Sequence, residues 1–410
     1  MEQFLKDAKK AKSIISNLSG EIKNDILHQM SEAILGNALF IIRENMRDIE
    51  YGRVSNLSSS IMDRLLLTPS RIEDMANAIK EIASLKDPVG KILDGWVTEN
   101  GLSIQKVAVP IGVIGIIYES RPNVTSDTAA LCFKSGNVCI LKGGKEAEHS
   151  NRAIAKVLQE VLEHNNLPTS VISLLLDSSR EGVANLIKQD SYVDLIIPRG
   201  GEALIKFVNQ NSTVPVIKHD KGLCHTYIDK YADMEKAVKI CINAKCQRPG
   251  VCNSMETLLV HQDLAKYILP KLYTEFTANG TELFGCAETM KLINTKEATE
   301  EDYRTEYLAN ILSIKIVKNT EEAIEHIEIY GSGHSEAIIS ESYTEVNKFL
   351  NSVDSACVYA NASTRFTDGR AFGFGAEVGI STNKLHARGP MGINELTTYK
   401  FKILGNGQVR

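Results

Sequence analysis

The chain has 410 residues, 43% of them hydrophobic and 24% charged, with a formal net charge of −5 at pH 7. That length exceeds one ordinary core and predicts two or three domains of a water-soluble protein. The acidic balance speaks against a nucleic-acid or anionic-membrane surface.

No uncharged apolar run approaches the roughly 18 residues of a membrane span. The charged start Met1-Glu2-Gln3-Phe4-Leu5-Lys6-Asp7 lacks a signal peptide's apolar core, so the expected location is cytoplasmic. Eight cysteines are scattered without a CxxC pair, and the nine histidines do not cluster with them at zinc-like spacing, so neither disulfides nor a metal are expected.

Residues 1 to about 92 predict helices. Apolar positions recur every three and four residues through 22–42 and again through 72–85. The period then changes to alternation through 96–109 about Asn100-Gly101, a strong hairpin signal. Pro110 ends the hairpin, and Ile111-Gly112-Val113-Ile114-Gly115-Ile116-Ile117-Tyr118 reads as a strand buried on both faces. Strands follow at 138–141, 171–175, 193–197 and 214–217, separated by helices at 153–164, 180–188 and 203–209.

Repeated βα units imply a parallel sheet covered on both faces. The fold class is therefore α/β, with a Rossmann-like cofactor domain over 1–222 that the hairpin 94–109 interrupts. A second alternating region, 223–385, predicts strands at 257–261, 312–317 and 356–359 and helices at 264–278, 320–330 and 342–351. The run 395–404 reads as one exposed strand.

The segment Gln247-Arg248-Pro249-Gly250-Val251-Cys252-Asn253-Ser254 opens the second region's chemistry. Pro249 and Gly250 fix an unusual backbone path, and Asn253 and Ser254 are capping types. Amide donors near Cys252 would favour a thiolate and could hold an oxyanion. Most cysteines are small core residues, and Cys246 is the nearest competitor, but it continues a helical pattern from Met234. The turn singles out Cys252.

Lys142-Gly143-Gly144-Lys145 lies where a strand ends and a helix begins, the edge at which open α/β sheets take ligands and phosphates. A solvated turn with surface lysines is the plainer reading. Arg199-Gly200-Gly201 repeats the placement, again pairing glycines with a cation. The G-x-G-x-x-G fingerprint is absent; Gly373-Phe374-Gly375-Ala376-Glu377-Val378-Gly379 imitates it with one residue too many and reads as a loop. Arg121-Pro122-Asn123 places a side-chain amide at another ligand-facing loop, or an asparagine that merely holds a turn.

Together, Cys252 with its flanks, Glu119 to Thr125, Ile197 to Gly201, Asn361 to Gly369, Phe372 to Glu377 and His386 to Gly392 resemble the gamma-glutamyl phosphate reductases. These form the proline-biosynthesis branch of the aldehyde dehydrogenase superfamily, and the likeness spans essentially the whole chain. It implies a Rossmann-like cofactor domain, a catalytic domain, and a β oligomerisation flap made of 94–109 and 386–410. It also implies NADPH-dependent reduction of L-glutamyl 5-phosphate to L-glutamate 5-semialdehyde with phosphate release. The upstream glutamate 5-kinase and a second copy of the chain are the implied partners.

Residue by residue, the resemblance makes Cys252 the nucleophile and Asn123 the oxyanion amide. It puts Lys142 at the adenosine ribose and Glu306 at the nicotinamide ribose. Ser363, Arg365 and Arg388 are substrate-binding candidates because they lie in the matching C-terminal loops. Hydrolytic members of the superfamily carry a water-activating glutamate where this chain has His219-Asp220-Lys221-Gly222, which argues against an acid-forming dehydrogenase. A non-catalytic scaffold is the other rival; it would have no need of Cys252, Asn123 and both glycine-cation turns.

Overall fold

The computed structural model describes residues 1–217 and 221–410. The chain divides into two compact units, one joining Met1–Lys218, Gly373–Gly379 and Met391–Arg410, the other His219–Phe372 and Ile380–Pro390.

In the first unit five helices occupy the segment from Glu2 to Ser84. Their apolar stripes, among them Leu5, Ile26, Met30, Ile34, Ile72 and Ile79, are buried. Ser19, Ser58 and Thr68 cap three of these helices by accepting the N–H three residues on. The hairpin forms as the sequence predicts, Ile92–Val97 against Ser103–Pro110, with Gly101 supplying a left-handed turn residue at φ +84. Thr397–Leu404 pairs with the other side of Ser103–Pro110, and the three strands make a largely exposed sheet.

The unit's second sheet has four parallel strands in the order Ile172–Leu174, Val138–Lys142, Val113–Tyr118, Leu195–Arg199. Every residue of Val113–Tyr118 is buried. Ile117 stands opposite both Lys142 and Pro198, and Tyr118 opposite Arg199, so the carboxyl ends of three strands share one edge.

Two sequence expectations fail here. Asn123–Lys134 is a helix, not a loop, and ten of its twelve residues are buried. Residues 214–217 form no strand: Val216 makes only an isolated bridge to Ile196, and Pro215 has no N–H to extend a ladder.

The second unit carries a seven-stranded parallel sheet, ordered Lys296–Glu297, Glu282–Gly285, Ile311–Val317, Met255–His261, Cys224–Ile228, Ser335–Ile339, Cys357–Ala360. Strands Glu282–Gly285 and Ser335–Ile339 had no counterpart among the predicted elements. Side chains alternate across a strand, so Leu258 and Leu259 enter separate cores. Leu258 packs with Ala237, Cys241, Leu269 and Phe276 from helices Met234–Cys246 and Gln262–Ala278. Leu259 packs with Ile324, Ile327 and Phe349 from helices Thr320–Tyr330 and Tyr343–Ser352. Because the strands are parallel, the segments entering them collect at one edge. Gly222, Cys252, Glu306 and His334 each lie a few residues before a strand of this sheet.

Candidate active site

Cys252 sits between helix Met234–Cys246 and strand Met255–His261. The Ser254 N–H donates to the Val251 carbonyl at 3.0 Å, so Cys252 and Asn253 are the two central residues of a tight turn. Asn253 and Ser254 do not cap a helix. The Thr257-Leu258-Leu259-Val260 run is strand-forming and enters the middle of the sheet, so no helix N-terminus begins at Cys252.

The turn is instead clamped by the loop after strand Cys357–Ala360. Asn253 is 5% exposed and its amide donates to the Thr367 carbonyl at 2.8 Å, while its own carbonyl accepts from Thr364 Oγ1 at 2.8 Å. Arg365 donates to Asn253 Oδ1 with one guanidinium nitrogen and to Gln247 Oε1 with Nε at 2.8 Å, gripping both sides of the turn. Ser363 is buried beneath this loop and accepts the Arg365 N–H at 3.3 Å. Two of the three substrate-binding candidates thus lie against the Cys252 turn. Arg388 does not share that placement: it pairs with Asp354 at 2.8 Å.

The other cysteines of the neighbourhood are held as thiols. Cys224 is buried, burial pushes its thiol well up, and its Sγ donates to the Cys252 carbonyl at 3.2 Å. Burial also raises Cys246, whose Sγ lies 3.4 Å from Thr281 Oγ1. All eight cysteines are reduced. Cys252 itself is half-buried.

Glu306 reaches the same neighbourhood through Gly222, whose N–H donates to Glu306 Oε1 at 2.8 Å. Gly222 in turn packs directly on the Cys252 backbone. Of the segment at the place of the hydrolytic glutamate, His219 and Asp220 lie outside the described residues. Neither the Cys224 bond nor the Gly222 contact was read from the sequence, although a lone glycine before a strand is the kind of position where backbones approach closely.

In the first unit the carboxyl edge of the four-stranded sheet gathers the other candidates. Lys142 ends its strand, is 4% exposed, and donates Nζ to the Ser178 carbonyl at 2.9 Å; burial pulls its ammonium down, against the attraction of Asp177, Glu146 and Glu119. Gly143 has no room for a side chain, since a β-carbon there would stand 2.1 Å from the Asn151 amide. A shallow depression beside it is lined by Gly143, Gly144, Glu148, Asn151, Leu175 and Ser178. Lys145 is exposed on the turn.

Arg199 and Gly200 lead into helix Glu202–Asn211, and the Gly201 N–H at its start donates to Glu119 Oε2 at 2.8 Å. Ser120 donates both its N–H and its hydroxyl to Glu146 Oε1, at 2.6 and 2.9 Å, tying the Asn123 loop to the Lys142 turn. Asn123 starts its helix and its amide donates to Asp127 Oδ2 at 2.9 Å. Among the described residues no group of three or more His, Cys, Asp or Glu side chains could hold a metal ion.

The aldehyde dehydrogenase family profile matches residues 1–281. The chain is 64% identical over 410 residues to the gamma-glutamyl phosphate reductase of Aliarcobacter butzleri and 65% identical to that of Sulfurimonas denitrificans, each covered in full by the match. The crystal structure of gamma-glutamyl phosphate reductase from Thermotoga maritima superposes with a TM-score of 0.98 at 47% identity, covering 100% of this chain and 99% of that one. An acetylating aldehyde dehydrogenase from Geobacillus thermoglucosidasius, at 19% identity and TM-score 0.71, shares the fold over the whole chain. The chain therefore belongs to the gamma-glutamyl phosphate reductases, a branch of the aldehyde dehydrogenase family.

Proposed function

We propose that the chain reduces L-glutamyl 5-phosphate to L-glutamate 5-semialdehyde, releasing phosphate, in proline biosynthesis. The observation that carries this reading is the Cys252 turn, clamped by Arg365 and Gly222 while its neighbours Cys224 and Cys246 stay protonated. The relatives' shared name supplies the substrate.

Cys252 thiolate attacks the acyl carbon, the carbonyl electron pair moves to oxygen, and its return expels phosphate and leaves a thioester on Sγ. Asn123, by the family resemblance, and the Cys252 N–H stabilise the oxyanion, each such donor being worth about 3 kcal/mol. A nicotinamide cofactor, which membership of the family implies, supplies the hydride that reduces the thioester. The tetrahedral alkoxide on Cys252 then collapses, its oxygen electron pair re-forming the carbonyl as the C–S bond breaks, and Cys252 is regenerated as thiolate with the aldehyde released.

The first unit's carboxyl edge suits such a cofactor. Gly143 and Gly144 follow one strand of that edge with Lys142 and Lys145 beside them, and Gly201 opens helix Glu202–Asn211 after another, the setting in which phosphates are taken. Lys142 holds the adenosine ribose, Gly143, Gly144, Arg199, Gly200 and Gly201 line its approach, and Glu306 takes the nicotinamide ribose. Lys145 favours the 2′-phosphate, so NADPH should be preferred over NADH. Residues 1–222 form the cofactor domain and 223–385 the catalytic domain, while 94–109 and 386–410 join copies into a homo-oligomer in the cytoplasm. A labile acyl phosphate also favours direct delivery by the kinase that makes it.

The test is phosphate-dependent reduction of NADP⁺ with glutamate semialdehyde. Cys252→Ala should abolish it while NADPH binding and folding persist, and Cys246→Ala should keep most of it. Comparable activity in both variants would refute the acyl-enzyme step, and activity independent of phosphate would favour an acid-forming dehydrogenase.

A further inference from the structure

Lys245 and Glu256 stand eleven residues apart in sequence, with the Cys252 turn between them. Both side chains are out of solvent, 0% and 1% exposed, and Nζ meets Oε2 at 2.8 Å. Lys245 belongs to the last turn of helix Met234–Cys246 and Glu256 is the second residue of strand Met255–His261. The pair therefore closes the base of the nucleophile turn, with the Ser254 hydroxyl's bond to the Ala244 carbonyl at 3.3 Å beside it.

The second carboxylate oxygen of Glu256 reaches a different loop. It accepts the Leu308 N–H at 3.4 Å, two residues past Glu306. Leu308 holds the left-handed conformation, φ +49, which a leucine adopts only when its surroundings fix it. Glu306 is bonded to Gly222, and Gly222 lies on the Cys252 backbone. One buried carboxylate thus joins helix, turn and Glu306 loop. The charged or ionisable groups that face the pair include Glu306, the Tyr307 phenol and the thiols of Cys224 and Cys246.

Stability alone does not call for such a pair, because apolar residues of similar volume commonly do as well in a buried site. We propose that Lys245 and Glu256 are positioning residues, which fix Cys252 and Glu306 in one mutual geometry by fastening the nucleophile turn to the Glu306 loop. This inference rests on the reading of Cys252 as nucleophile and Glu306 as the ribose carboxylate.

The experiment compares the full-length protein with Glu256→Gln, Lys245→Met and the double variant Lys245→Met/Glu256→Leu. Four quantities are measured: thermal midpoint, kcat in the phosphate-dependent direction, NADPH dissociation constant by fluorescence, and the iodoacetamide alkylation rate at Cys252, resolved by mass spectrometry. Single variants leave a buried charge or a broken bond and should melt several degrees lower. The double variant should recover most of that loss yet remain at least about tenfold lower in kcat, with weaker NADPH binding and an altered Cys252 alkylation rate.

A double variant with restored melting, wild-type kcat and wild-type alkylation would overturn the proposal. Should the double variant fail to fold, Glu256→Gln decides at a temperature where it is folded: unchanged kcat and alkylation overturn the role, a tenfold fall in kcat upholds it. Alkylation reports turn geometry even if another residue were the nucleophile, whereas an active Cys252→Ala would sink the acyl-enzyme reading alone.

Discussion

A β-carbon at Gly222 would stand 1.8 Å from the Cys252 carbonyl oxygen and 2.5 Å from its Cα, closer than any real side chain comes to backbone. The Cys252 turn is thus seated against a strip of main chain that no L side chain can replace. Through its N–H, the same glycine orients Glu306.

Gly222→Ala should therefore act on catalysis more than a surface glycine would. The neighbouring atoms are backbone, so the turn itself must shift, and a displacement near 1 Å costs about a hundredfold in rate. We expect kcat to fall by about that factor, with a lower melting temperature. Wild-type kcat in this variant would show that the contact has no part in placing Cys252.

Arg365 gives a second test. Its guanidinium bonds Gln247 and Asn253 together, a task for a planar fork that the point charge of lysine cannot perform. Arg365→Lys should lower kcat roughly tenfold and leave the melting temperature nearly unchanged, because the Thr364–Asn253 and Asn253–Thr367 bonds still close the turn. A selective rise in substrate KM with kcat intact would instead assign Arg365 to substrate binding alone.

Much of this was legible in the sequence where the signal is local. The uniformly apolar run before Tyr118 gave a doubly buried strand, and Asn100-Gly101 gave the hairpin. The helix Asn123–Lys134 was missed because burial on nearly all sides erases the amphipathic period that reveals a helix, and Pro122 before it reads as a turn. Strand Ser335–Ile339 escaped because Ser335 and Glu336 leave only the three apolar residues Ala337-Ile338-Ile339, and the burial of Glu336 makes sense only with His225 on the adjacent strand, 2.9 Å away. At the site, the residue types were readable from the motifs. Which of them touch was not: Arg365 and Asn253 are over a hundred positions apart, and Arg365 follows strand Cys357–Ala360 whereas Cys252 precedes strand Met255–His261, so the chain after Ala360 must run back along the sheet before Thr367 meets Ser335 and Asn253.

A third prediction concerns acid stability. His326 is 2% exposed, boxed by the rings of Tyr303, Tyr330 and His225, with Lys315 Nζ 3.3 Å from Nδ1 and no partner at Nε2. Burial, then the charges of His225 and Lys315, lower its pKa from 6.5 to about 2. The folded pKa lies below the unfolded one, so this stability is fully present above pH 6.5 and is lost as pH falls towards 2, by up to about 1.4 kcal/mol per unit. Glu256 works in the opposite sense: burial raises it to about 7, and its contribution fades as pH rises from 4.5 to about 7. Comparing wild type with His326→Phe isolates the histidine. Between pH 7.5 and 5 the variant should lose less stability in urea titrations, and parallel pH profiles would contradict the assignment.

The last prediction concerns assembly. The three-stranded sheet of Ile92–Val97, Ser103–Pro110 and Thr397–Leu404 exposes Ile92, Trp96, Val97, Phe401, Ile403 and Leu404, and the ring of Trp96 meets that of Phe401 edge-on at 6.1 Å. An apolar, solvent-facing ribbon this long is costly for a lone chain, and its outer strands keep unpaired backbone groups. A second copy of the chain is the occupant we expect. Deleting 396–410 removes one strand and leaves Ser103–Pro110 with a bare edge, so the truncated protein should run as monomers or aggregates in sedimentation and lose activity, although Cys252 is far away in sequence. Full-length protein that sediments as a fully active monomer at micromolar concentration would rule out this role for the sheet.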